Sequence, residues 1–83
     1  AVRDVFGKLA ELFELIDEWS AEAAKAALTE AAASVGAKAG QMMFPLRVAL
    51  TGRGQGPDMA DVLNILGKQR CIARVNVFNE KLA

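Results

Sequence analysis

Arg47 and Arg53, set among Gly52, Gly54 and Gly56 and followed by Pro57 and Met59, are the residues whose types and spacing could act on a ligand. A guanidinium pairs with a phosphate or a base edge and also stacks on a base plane. Glycine backbone lets a ligand approach closely, and apolar residues at the loop's end, here Pro57 and Met59, could support an unstacked base. Single-stranded RNA is recognised by that combination of stacking and edge contacts. The same composition also fits a plain connecting loop.

Other chemistries fit less well. Leu46–Val62 could be read as strand, glycine loop and helix, the layout of a dinucleotide-binding unit. The glycines run G-x-G-x-G, however, Pro57 lacks an amide for a pyrophosphate, and Asp58 would set a negative charge beside it. Cys71 is the one cysteine, and the chain has no histidine to take its proton, so it reads as a buried, inert thiol. Without histidine, ordinary zinc and haem ligand sets are missing too. Glu14 with Glu18, and Asp58 with Asp61, read as solvated helix faces. Met42, Met43 and Phe44 read as core filler, and Trp19 as an anchor near the start of the second helix.

The formal charge of zero conceals an asymmetry. Residues 1–30 carry seven acids against three bases, and residues 31–83 seven bases against three acids. No acid occurs between Ala31 and Pro57, so that stretch presents the attractive surface for a polyanion. From their charge, Lys38, Arg53, Lys68 and Arg70 are candidate contacts to an RNA backbone. A solvated face with uneven charge is the plainer explanation of such a pattern. No run of 18 apolar residues is present and no secretory leader is visible, which reads as a soluble, cytoplasmic chain with no membrane partner.

The elements that must position these residues are helices. At 83 residues the chain makes a single domain, residues 1–83, and its alanine-rich composition favours a bundle. Apolar residues at 2, 5, 6, 9, 12, 13 and 16 mark one helix face. Ser20 is a good N-cap for a helix over 21–35, which Gly36 would end. Pro45 predicts a short helix to Met43, a break, and a second short helix over 46–50. Pro57 is expected in the first turn of the next helix, and Gly67 should divide that helix from the last. The expected fold is all-α, a small orthogonal-type bundle of about five helices.

The run Phe44-Pro45-Leu46-Arg47-Val48-Ala49-Leu50-Thr51-Gly52, then Gly56-Pro57 and Leu66-Gly67-Lys68 with Arg70 and Arg74, resembles the C-terminal anticodon-binding domain of bacterial-type glutamyl-tRNA synthetases. Trp19-Ser20-Ala21-Glu22 and the segment reaching Gly36, Lys38 and Gly40 fit the same family, so the likeness covers roughly Trp19 to Arg74. It implies an all-helical module that reads an anticodon loop, with Arg47, Gly56, Pro57 and Met59 at the positions that meet the second and third anticodon bases. The chain departs from the family pattern at Gly56, where some relatives carry a hydroxyl residue, at Ala60, where an aromatic is common, and at Gln69, where glutamate is usual.

The resemblance further implies a tRNA partner, the glutamate isoacceptor, and an upstream catalytic domain in the same chain. The parent enzyme would join glutamate to tRNA through a glutamyl-adenylate, using ATP and magnesium. Residues 1–83 themselves hold no catalytic group and imply no cofactor of their own. The alternative reading is a helical protein-docking domain that uses Met42–Phe44 and the acidic first helix.

Overall fold

The computed structural model describes residues 2–54 and 56–82, so Gln55 of the glycine loop lies outside the described residues. The order is α1 (Val2–Glu14), α2 (Ala21–Ser34), α3 (Ala39–Thr51) and α4 (Met59–Lys81), with no strand among the described residues. The three-and-four spacing of α1 buries Val5, Phe6, Leu9, Ala10 and Phe13. Each large side chain among these contributes about 1.5–3 kcal/mol on leaving water. Ser20 caps α2 as expected, accepting the Ala23 amide at 3.1 Å. The buried face of α2 is Ala24, Ala27, Leu28, Ala31 and Ala32, whose small side chains admit neighbouring helices closely. Gly36 takes a φ of 73° just past its end.

Two expected breaks have different outcomes. Pro45 does not divide α3, which runs without interruption from Ala39 to Thr51. The proline withholds an amide from the carbonyl one turn back, that of Gln41, and Gln41 is exposed, where solvent can take the place of the bond. Gly67 does break α4: its φ of 76° and ψ of 172° are non-helical and separate a first arm, 59–66, from a second arm, 68–81. The bundle therefore has four helices, the last one sharply kinked, where about five were expected.

The kink is held from the connection between α1 and α2. The Trp19 indole lies edge-on to Phe13, with ring centres 5.0 Å apart. It donates its N–H to the Leu63 carbonyl at 2.9 Å, near the end of the first arm. Directly after the break, Lys68 Nζ donates to the carbonyls of Glu14 and Ile16 at 2.8 Å each. Those carbonyls lie at and just beyond the end of α1, where helical partners run out and the helix dipole is negative. Trp19 thus anchors to α4 rather than to the first turn of α2. Phe6 meets Phe78 of the second arm, with ring centres 5.6 Å apart, and one continuous core joins all four helices.

Candidate nucleic-acid interface

The glycine loop, residues 52–58, joins the end of α3 to the start of α4. Gly52 ends α3 in the left-handed conformation, φ 76°, and its amide reaches the Val48 carbonyl at 2.8 Å. A side chain at that φ would be strained. The Thr51 hydroxyl donates to the Arg47 carbonyl at 2.8 Å and accepts the Arg53 amide at 3.2 Å, fixing the first bend. Gly56 has a φ of 150°. Asp58 is the N-cap of α4, without a side-chain capping bond, and Pro57 precedes it, so Pro57 lies outside the first helical turn where it was expected. An acid at this helix start disfavours a phosphate there, in line with the rejected dinucleotide reading.

Arg47 and Pro57 are brought together directly, because the Arg47 guanidinium donates through Nη1 to the Pro57 carbonyl. From mid-α3 this bond closes the loop against its own helix and leaves the other guanidinium N–H groups for a ligand. Arg74 of the second arm donates through Nη1 to the Leu50 carbonyl, supporting the last turn of α3 from below. The described loop residues, Gly52, Arg53, Gly54, Gly56, Pro57 and Asp58, are all exposed.

Phe44 belongs to this surface and is not the core filler that its methionine neighbours suggest. Of the trio, Met42 is buried and Met43 is half-buried against the core, but Phe44 turns outward with 64% of its surface exposed. The sticky three-residue patch of the protein-docking alternative therefore does not form. The Phe44 ring lies against Gly54, where an added Cβ would stand 2.7 Å from a ring carbon, so glycine alone leaves room for it. The available signal was spacing: Phe44 precedes Arg47 by three residues, which sets both on one face of α3. An aromatic plane and a guanidinium thus meet at the exposed glycine loop. Each base stacked on such a plane is worth about 1–3 kcal/mol.

Three other expected contributors stand elsewhere. The Met59 side chain is buried in the core, 2% exposed, so it cannot support a base as a surface contact. Lys68 spends its ammonium on the end of α1 and serves the fold. Lys38 is the N-cap of α3, at the far end of a 13-residue helix and so about 20 Å from the loop. Arg53 and Arg70 are exposed, with no side-chain hydrogen bond or ion pair to another described residue. Cys71 is fully buried, and burial pushes its thiol up to about 11 against a smaller lowering from Arg74. That environment suits packing and disfavours a nucleophile.

A family model described as an anticodon binding domain matches residues 1–78. The glutamate–tRNA ligase of Nitrobacter hamburgensis is 40% identical over 74 residues, covering 89% of this chain and 16% of the relative. Glutamate–tRNA ligase 1 of Beijerinckia indica is 45% identical over 67 residues, 81% of this chain and 14% of the relative. Glutamate–tRNA ligase 2 of Brucella ovis is 40% identical over 73 residues, 88% and 15%. The chain thus spans about one sixth of the length of the curated relatives it matches. Its helical bundle, its basic glycine loop and a family match running through both place it: the chain belongs to the anticodon-binding-domain family.

Proposed function

We propose that this domain recognises the anticodon loop of the glutamate tRNA and serves as the C-terminal anticodon-binding domain of a cytoplasmic glutamate–tRNA ligase. The observation that carries the reading is the Arg47–Pro57 hydrogen bond beside the exposed Phe44 ring, in a chain about 40% identical to ligases of that name. In this reading Arg47 presents a preoriented guanidinium to one anticodon base. Phe44 stacks on a neighbouring base, and the backbone at Gly56 and Pro57 meets base edges. Ligation itself would take place on a catalytic domain elsewhere in the parent enzyme, with ATP and magnesium bound there.

The test is an NMR titration of the protein with a glutamate-tRNA anticodon stem-loop, repeated with each anticodon base replaced. Shifts should gather at Phe44, Arg47 and residues 52–58 and should change with the bases. Arg47→Ala should weaken binding by about 1–3 kcal/mol, the range for a lost base contact or stack. Shifts scattered over the surface, or indifferent to the anticodon, would sink the reading.

A further inference from the structure

Arg70, Arg74 and Lys81 lie on one face of the second arm of α4, since positions i, i+4 and i+11 fall within about 40° of one another around a helix. All three are exposed. Ala73 and Val77 fill the same face, and Val77 is itself 50% exposed. Glu80 is the arm's one acid; it lies about 100° around the helix from Lys81 and about 20° from Ala73, at the margin of this face. Arg70 and Lys81 form no side-chain hydrogen bond or ion pair with another described residue.

Arg74 and Lys81, with Ala73, Val77 and Phe78, form one wall of a groove of about 520 Å³ whose other wall is the last turns of α3, Val48 to Gly52; Arg70 stands one turn before Arg74 on the same face, outside the lining. No acid is among the described residues that line it. The groove is continuous with the loop, because Gly52 belongs to both and Arg74 is bonded to the Leu50 carbonyl. Exposed Arg53 follows Gly52 directly. The bases extend about 17 Å along the arm from Arg70 to Lys81.

We infer that this groove, together with Arg70 on the same helix face, is a second, sequence-blind contact, a track that holds the phosphate backbone of the RNA whose loop bases lie on the Arg47–Phe44 platform. Unpaired cations over a shallow apolar floor fit a phosphodiester chain, which needs charge and brings sugar surface but needs no matched apolar side chains. The identity of the RNA rests on the anticodon reading; the track itself rests on charge and continuity. Arg74 has a divided role, bracing α3 through one N–H and adding charge to the groove through the rest.

The deciding experiment measures binding of the 83-residue protein and its Arg70→Gln/Lys81→Gln variant by fluorescence anisotropy across salt. The probes are the glutamate-tRNA anticodon stem-loop, the same stem-loop with replaced anticodon bases, and a polyglutamate peptide. Both substituted side chains are exposed, and circular dichroism is to check that the variant keeps the helical fold. Removing two phosphate contacts should lower the slope of log affinity against log salt by about 1.4, at about 0.7 per phosphate. The wild-type loss of affinity between 50 and 200 mM salt should then shrink by about sevenfold in the variant, equally for every anticodon. An unchanged slope with anticodon selectivity intact overturns the track and leaves the anticodon reading standing. A reduced slope in a protein that never distinguishes anticodons supports the track and overturns that reading. Tight binding of polyglutamate that the variant abolishes, with RNA binding unaltered, overturns the track in favour of an acidic protein partner.

Discussion

Lys68→Met replaces a side chain that charge alone assigns to RNA and the structure assigns to the end of α1. The substitution keeps the aliphatic stem and removes two hydrogen bonds of 2.8 Å, to the Glu14 and Ile16 carbonyls. A bond involving a charged group contributes about 1.5–3 kcal/mol where water is excluded. Here one of the two is exposed and the other only part-buried, so water recovers much of the loss. A net cost of about 1–2 kcal/mol follows, including the lost complement to the helix dipole. For a domain of this size each kcal/mol moves Tm by about 4–8 °C, so calorimetry should find the melting point lowered by about 4–16 °C. Lys68→Arg should recover part of it. The salt slope of RNA binding should stay unchanged in both variants, measured below their melting points. A Tm within about 2 °C of wild type, together with a slope reduced by about 0.7, would refute the assignment and return Lys68 to the phosphates.

Gly67→Ala should cost about 1–3 kcal/mol in chemical denaturation, because φ 76° with ψ 172° is accessible essentially to glycine alone. A Cβ there would meet nothing within 4 Å, so a crystal structure of the variant should show altered backbone rather than displaced neighbours. Cys71 should resist alkylation at pH 8 until the protein unfolds. Its folded pKa of about 11 lies above the ordinary 9.0, so its contribution to stability is complete below about pH 9 and is lost as pH rises towards about 11. Comparing Cys71→Ala with wild type in urea melts across that range isolates the effect.

The parts of this fold legible from sequence are those decided within a turn or two of chain. The α1 stripe, the Ser20 cap and Gly36 just past the end of α2 each depend on neighbours a few residues away. Pro45 misleads because its cost depends on whether the carbonyl it abandons can reach water, a property of the folded surface. Lys68 misleads for a similar reason: its partners lie 54 and 52 residues earlier, and no local pattern reveals them. At the interface, Arg47 and Pro57 stand out in the sequence as a pair of positions, although nothing in their spacing shows one holding the other. Phe44 escapes notice because an aromatic beside two methionines reads as core. Only the rotation of α3 around Leu46 and Leu50, both buried, turns it outward.

The two halves of the chain are also joined at the surface, where Lys68 bonds the backbone carbonyls at the end of α1. That contact bears on the protein as it is made. At a synthesis rate of about 5–20 residues per second, the 54 residues separating Glu14 from Lys68 take about 3–11 s to appear. Over that interval α1 can settle against α2, but the side that receives Phe78 has nothing to cover it. The nascent domain thus carries a first helix with one side bare for seconds, until the kinked last helix arrives to cover it.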